Sequence, residues 1–115
     1  MRSIERVKRI SDQDKQLLAE LKRIVLGFVP DAELILYGSA ARGKREPESD
    51  YDVLILLNGP LSKELDEELD IAIYALELER EAVLSTFIYT RDEWDRPLRV
   101  ATPYHRNVER EGVLL

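Results

Sequence analysis

Four residues in the first half of the chain combine side chains and spacing that suit chemistry on a charged substrate. Gly38 and Ser39 directly follow an apolar run, and Asp50 and Asp52 lead into a second one. Because successive side chains of a strand point to opposite faces, the two aspartates would project from one side, with Tyr51 on the other. Neighbouring carboxylates repel each other unless a cation lies between them, and such oxygen ligands suit a hard divalent ion such as Mg²⁺. We therefore expect Asp50 and Asp52 to be metal ligands.

The glycine-serine turn has the features of a phosphate-binding loop. A turn at the end of a strand offers free backbone N–H groups, and Ser39 adds a hydroxyl donor. Glycine at position 38 allows a phosphate to approach the backbone closely and permits positive φ. Together with a magnesium site, this turn indicates chemistry on a nucleotide.

The same residues carry a resemblance to a known family. Gly38-Ser39, ten intervening residues and Asp50-x-Asp52 resemble the GS-x10-DxD signature of the DNA polymerase beta nucleotidyltransferase superfamily, and the chain is most similar to its minimal, MNT-type branch. The surrounding words YGSAARGK and SDYDVLIL match as well. The resemblance implies a DNA polymerase beta-like α/β (α+β) fold, with a small mixed sheet flanked by helices. It also implies that Gly38, Ser39 and Arg42 bind the nucleotide and that Asp50 and Asp52 are catalytic ligands of Mg²⁺.

The resemblance further implies an activity and a partner. Such a protein transfers a nucleotidyl group, AMP from ATP, to a hydroxyl of a protein or small molecule, and many MNT-type members are antitoxins that add AMP to a HEPN-type toxin. This chain departs from the family in one respect, because the family has a third carboxylate on the third strand. The corresponding stretch, residues 83–89, contains no acid, and Ser85 or Thr86 occupies the expected position. The alternative is a protein of the same fold that neutralises its partner by binding alone.

Length and composition restrict the function further. A chain of 115 residues is large enough for one domain, residues 1–115, and we expect its substrate surface to come from a partner rather than from a second domain. Its 17 Lys and Arg against 23 Asp and Glu give a net charge of −6, which disfavours long nucleic acid and favours a free nucleotide or a basic partner protein. The absence of cysteine excludes disulfides and thiolate zinc sites.

No stretch has the apolar length of a signal peptide or of a membrane span. We therefore expect a cytoplasmic protein that does not bind membranes. The oligomeric state is open, and a homo-oligomer is compatible with the sequence.

Hydrophobic spacing predicts the elements that would position these residues. Ser11 begins a helix with one apolar stripe that ends before Pro30, and Ser62 begins a second amphipathic helix. A third strand, Ala82–Thr90, would pair in parallel with the strand Val53–Leu57 through a right-handed crossover.

The segment after the glycine-serine turn is expected to support the phosphate site. A short helix over Ala40–Gly43 would direct the positive end of its dipole at the turn. Arg42 is a candidate phosphate ligand within it, whereas Lys44 and Arg45 are expected to face solvent.

The remaining segments are expected to serve the fold. Residues 1–10 are predicted as an extra helical turn or a loose arm. We assign Trp94 to packing, with stacking on a nucleotide base as the alternative. We assign the single histidine, His105, to a structural or solvent-facing role. A last helix is predicted from Pro103 to Gly112. The apolar end Val113–Leu115 either folds back on the core or joins a partner interface, and we favour the core.

Overall fold

A five-stranded mixed sheet with helices on both faces forms the protein, whose computed structural model describes residues 1–115. The elements in chain order are β1 (Arg2–Ser3), a 3₁₀ turn (Ile4–Arg6), α1 (Asp12–Phe28), β2 (Glu33–Tyr37), α2 (Gly38–Ala41), β3 (Tyr51–Leu57), α3 (Lys63–Arg80), β4 (Leu84–Thr90), α4 (Arg91–Trp94), α5 (Pro97–Val100), α6 (Pro103–Glu111) and β5 (Val113–Leu114). The strands lie in the order β1-β5-β2-β3-β4. This architecture confirms the expected α/β fold class.

The two central pairings bring the polar residues of the sequence motif to one end of the sheet. β2 and β3 are antiparallel, with Tyr37 opposite Asp52. β3 and β4 are parallel, with Asp52 opposite Ser85. The helix α3 connects them, and it begins where the Ser62 side chain accepts a hydrogen bond from the Leu65 N–H. The predicted parallel pairing of these strands through a connecting helix is thus confirmed.

Alternate residues of the central strands fill two separate cores. The larger one lies under α1 and α3 and contains 21 buried residues, among them Val53 and Ile55 of β3. The smaller one lies on the opposite face and consists of Ile35, Leu54, Leu56, Trp94 and Val108. Because β3 alternates between these cores, Asp52 shares a face with Leu54, which is the face covered by α4 and α6.

Both ends of the chain join the sheet. β5 pairs with β2 and with β1, and Leu115 is buried in the larger core, which confirms that the apolar end folds back. The first ten residues contain the expected helical turn, but they also form β1 and bury Ile4, Val7 and Ile10. The loose-arm alternative was therefore wrong.

Three local predictions need correction. The short helix covers Gly38–Ala41 rather than Ala40–Gly43, and β4 begins at Leu84 rather than at Ala82. Arg45 does not face solvent, because its guanidinium lies 4.3 Å from the ring centroid of Tyr51. Its Nη1 also donates hydrogen bonds to the backbone carbonyls of Glu46, Pro47 and Ser49. The basic loop is therefore folded around Arg45.

None of the helices has the length and apolar composition needed to cross a lipid bilayer.

Candidate functional site

The turn after β2 lies beside the start of β3. Tyr37 ends β2 and pairs with Asp52, so that Gly38 follows directly beside this aspartate. Gly38 has a φ of +76°, in the left-handed region that glycine adopts without strain. A Cβ at this position would also collide with the Asp52 carboxylate. The close approach of backbone and carboxylate therefore depends on glycine.

Backbone hydrogen bonds close the loop around the turn. The Arg42 N–H donates to the Gly38 carbonyl at 3.2 Å, and the Lys44 N–H donates to the Ser39 carbonyl at 2.9 Å. Ser39 is half-buried in α2. The first N–H groups of a helix have no acceptor within it, so they are available to a ligand or to another part of the chain. The structure thus places Gly38 and Ser39 at the same end of the sheet as Asp52, where β2 ends and β3 begins.

Asp50 and Asp52 form an adjacent pair with Ser85 beside them. Asp50 precedes β3, and its Oδ2 accepts a hydrogen bond from Ser85 Oγ at 2.7 Å. Ser85 also pairs with Asp52 in the parallel ladder between β3 and β4. Of the two residues proposed for the position of the third carboxylate, Ser85 is therefore the one that lies next to the aspartates. Its hydroxyl adds no negative charge that could attract a cation.

Burial raises the pKa of Asp52 above the usual range for an aspartate, and the neighbouring charge of Asp50 raises it further. The positive charge of Arg42 acts in the opposite direction, and the carboxylate of Glu111 again favours the protonated form. A cation between the two aspartates would relieve this repulsion. The electrostatics of the site therefore fit a bound cation.

A carboxylate that the sequence analysis missed reaches the site from the end of α6. Glu111 Oε1 accepts a hydrogen bond from the Gly38 N–H at 3.1 Å, and its Oε2 accepts one from Arg42 Nη1 at 3.0 Å. These contacts join residues 73 and 69 positions apart. No local pattern could indicate them, because they depend on how α6 packs against the sheet.

An aromatic group continues the same face beyond the carboxylates. Phe87 lies two residues after Ser85 in β4, is 49% exposed, and packs edge-on against Tyr104 with 6.3 Å between ring centroids. The Tyr104 hydroxyl donates to the Tyr37 hydroxyl at 3.1 Å. Burial raises the pKa of Tyr37 and the pKa of Tyr104, so both are neutral phenols. Phe87 offers an apolar ring on which a flat ligand group could stack.

Trp94 and His105 lie in the packed interior, which confirms the packing role of Trp94 and, for His105, the structural alternative over the solvent-facing one. Trp94 is 2% exposed and stacks on the imidazole of His105, with ring centroids 4.3 Å apart. His105 is buried as well. Both residues therefore stabilise the attachment of α4 and α6 to the sheet.

The metal-binding capacity of the site rests on two residues. No group of three His, Cys, Asp or Glu side chains is arranged to hold a metal ion. Asp50 and Asp52 provide hard carboxylate oxygens, which are the ligands that Mg²⁺ prefers. The donor set is therefore suitable for Mg²⁺ but contains one carboxylate fewer than the resemblance implies.

A large cavity of the molecule lies away from these residues. It has a volume of about 910 Å³ and opens beside Tyr51 and Arg45, on the other face of the sheet. Neither aspartate lines it. The candidate site is therefore separate from this cavity and is defined by the polar groups that converge at the end of the sheet where β2 ends and β3 begins.

The chain is similar to several known proteins. The family model described as nucleotidyltransferase domain matches residues 15–112. The fold is similar to that of a toxin-antitoxin crystallised with AMP-PNP, with a TM-score of 0.54 and 19% sequence identity over 88% of this chain and 71% of that chain. A weaker likeness, with a TM-score of 0.43 and 24% identity, relates 61% of this chain to 22% of the Cid1 poly(U) polymerase determined with MgGTP bound. No protein of curated function matches the sequence significantly.

Proposed function

We propose that the chain, which belongs to the nucleotidyltransferase-domain family, transfers a nucleotidyl group to a hydroxyl acceptor. The proposed donor is the nucleoside triphosphate ATP, and the proposed reaction depends on Mg²⁺. The observation that carries the proposal is that Gly38, Asp50 and Asp52 lie close together at one end of the sheet. A phosphate-binding turn beside paired carboxylates is the arrangement that this reaction needs.

In the proposed reaction, the acceptor hydroxyl attacks the α-phosphate and pyrophosphate leaves. Mg²⁺ held by Asp50 and Asp52 would offset the charge on the phosphoryl oxygens and lower the pKa of the attacking hydroxyl. The Gly38 N–H and the Ser39 hydroxyl would donate hydrogen bonds to the phosphate tail. The Arg42 guanidinium would neutralise part of the tail's charge through charge-assisted hydrogen bonds.

We propose that residues 1–115 act as one catalytic module. The larger core contains side chains from Ile4 to Leu115, so the first and last elements pack together. Nucleoside triphosphates and protein acceptors are both present in the cytoplasm, where we propose that the protein acts.

The proposed acceptor and partner is a HEPN-type toxin. This assignment is supported by the resemblance of the motif to MNT-type antitoxins and by the fold likeness to a toxin-antitoxin crystallised with AMP-PNP. In the antitoxin role, the chain would bind the toxin and modify one of its hydroxyl groups.

The exposed face of α3 supports a partner with a basic surface. Ile71, Tyr74 and Leu78 lie three and four positions apart and are 71%, 60% and 63% exposed, so they form an apolar stripe toward solvent. The helix carries seven acidic residues and two basic ones, of which Arg80 is paired with Glu20. Two copies of this acidic face would repel each other, whereas a partner with an apolar centre and a basic rim is complementary to it.

The second candidate function is neutralisation of the partner by binding alone. Ser85 favours this candidate, because it stands beside Asp50 and Asp52 where a third carboxylate would strengthen cation binding. The α3 stripe would serve this function equally well, since it does not require turnover.

Labelling with α-³²P-ATP and Mg²⁺, in the presence of the protein encoded beside this chain, separates the two candidates. We expect the wild type to label the partner and Asp52→Ala to label nothing, with the exposed Asp95→Ala as a control that retains activity. If neither wild type nor Asp52→Ala transfers label but both suppress the toxin, binding alone is the function.

Partner binding by α3 is tested separately. Leu78→Asp should weaken the complex in a pull-down or calorimetric titration. Leu98→Asp introduces the same charge on α5, where the side chain is 88% exposed, and should leave the affinity unchanged. Equal affinities for the two variants would refute the α3 interface without affecting the proposed catalysis.

A further inference from the structure

Glu111 binds the two groups that the proposed function assigns to the phosphate tail. Its carboxylate accepts from the Gly38 N–H and from the Arg42 guanidinium. A carboxylate and a phosphate group present similar negatively charged oxygens to such donors. We propose that Glu111 is an internal competitor of the triphosphate: it occupies the phosphate position in the nucleotide-free protein and thereby sets the affinity for the nucleotide. The inference rests on the proposed nucleotide site.

Two neighbours of Glu111 repel its charge, the C-terminal end of α6 and Asp52. Glu111 is the last residue of α6, where the helix dipole repels anions. The charges of Glu111 and Asp52 also repel each other, since Glu111 favours protonation of Asp52. Only the Gly38 N–H and Arg42 offset these two penalties. A ligand that takes over these two donors would therefore leave Glu111 without the contacts that hold its side chain at this place.

The backbone next to Glu111 is firmly placed, so the competition involves its side chain. Gly112 packs so closely against the Val108 carbonyl and the Ile35 side chain that a Cβ would overlap with both. Val113 then pairs with Leu36 in the sheet. Glu111 can consequently leave the phosphate position by rotation of its own side chain, without unfolding α6.

Removal of the Glu111 charge should tighten binding of a triphosphate. Glu111→Gln keeps the size of the side chain but replaces a carboxylate that holds Arg42 with a neutral amide. Because the Arg42 side chain is 48% exposed, solvent screens the interaction, and the gain is modest. We expect about tenfold tighter binding, which corresponds to about 1.4 kcal/mol.

Isothermal titration of wild type, Glu111→Gln and Glu109→Gln tests the proposal with three ligands: ATP with Mg²⁺, inorganic tripolyphosphate without metal, and adenosine. Glu109 lies exposed on the same helix, so its variant controls for the loss of one negative charge. Glu111→Gln should bind ATP and tripolyphosphate about tenfold more tightly, with adenosine unchanged, and Glu109→Gln should match the wild type.

An unchanged or weaker affinity of Glu111→Gln for tripolyphosphate overturns the proposal, as does an equal gain in Glu109→Gln. The outcome is independent of turnover. Tighter tripolyphosphate binding without any transfer of label from ATP supports the competitor and refutes the transferase. Normal transfer of label with affinities of Glu111→Gln that equal those of the wild type refutes the competitor and supports the transferase.

Discussion

The substitution Ser85→Asp tests the metal side of the site, because it introduces a carboxylate where the resemblance to the DNA polymerase beta superfamily implies a third one. Ser85 Oγ lies 2.7 Å from Asp50 Oδ2, and its residue pairs with Asp52. An aspartate at position 85 would therefore bring a third negative charge next to the pair. Without a cation, the variant should be less stable than the wild type, and with Mg²⁺ the loss should be recovered.

The magnitude follows from the distances and the exposure of the site. Two unit charges roughly 4 Å apart repel by about 1 kcal/mol in water and by about 4 kcal/mol at the effective dielectric constant of a protein surface. Asp50 is exposed and Asp52 is half-buried, so the lower value applies more closely. With the lost hydrogen bond from Ser85, the free energy of unfolding should fall by about 2 kcal/mol, which lowers the melting temperature of a domain of this size by roughly 10 °C.

Thermal unfolding in EDTA and across a Mg²⁺ titration measures both effects. Ser85→Asn has nearly the same shape as Ser85→Asp without the charge and serves as the matched control. In EDTA, the aspartate variant should melt well below the asparagine variant, and millimolar Mg²⁺ should raise its melting temperature more than that of the wild type, since a ligand that binds only the folded state stabilises it. Equal melting temperatures of both variants at every Mg²⁺ concentration would show that position 85 does not face the aspartates.

Three further variants test other parts of the site. In the metal-free protein, burial and Asp50 raise the pKa of Asp52 from 3.8, so the free energy of unfolding should fall as the pH rises from about 4 through the raised pKa. Urea unfolding of Asp52→Asn in EDTA should lack this fall, and an unaltered pH profile of the variant would contradict the assignment. Gly38→Ala should lower the free energy of unfolding in urea by about 2 kcal/mol or more, because residue 38 has positive φ and a Cβ there would collide with Asp52. The control Gly27→Ala should be neutral or stabilising, because a Cβ at this position of α1 meets no other atom. If the half-exposed Phe87 ring stacks on the base, Phe87→Ala should weaken ATP binding by about 1 kcal/mol or more in calorimetry and leave the affinity for tripolyphosphate unchanged. Equal losses of affinity for both ligands would exclude stacking.

The parts of the fold that follow from local pattern were predictable. Helical spacing after Ser11 and Ser62 identified α1 and α3, and the crossover rule identified the parallel pairing of β3 with β4. The family model over residues 15–112 confirms the superfamily that the motif indicated. The motif could be recognised because each of its parts lies at the end of an apolar strand, where a short stretch of sequence determines the environment.

The parts that depend on distant contacts could not be predicted. β1 has two residues and exists only because it pairs with β5 at the other end of the chain. Arg45 appears in the sequence as one charge of a basic loop, but the ring of Tyr51 and three backbone carbonyls bind it. Glu111 reaches Gly38 only when α6 packs on the sheet. In each case the partner lies outside the window in which periodicity or spacing carries information.

Ser85 and Glu111 both affect the same quantity, the distribution of negative charge across one site. Ser85 removes a carboxylate from the metal side, and Glu111 adds one on the phosphate side, next to Arg42. The charge that would attract a free cation is thus reduced, while the group that would attract a free triphosphate is already paired. Neither Mg²⁺ nor the nucleotide alone should bind strongly, since each meets a site whose complementary charge is missing or occupied. The Mg²⁺–triphosphate complex would meet both conditions at once, because its cation would relieve the repulsion between Asp50 and Asp52 while its phosphates would replace Glu111. If the proposed site is correct, we therefore expect joint binding of metal and nucleotide to be stronger than binding of either one alone.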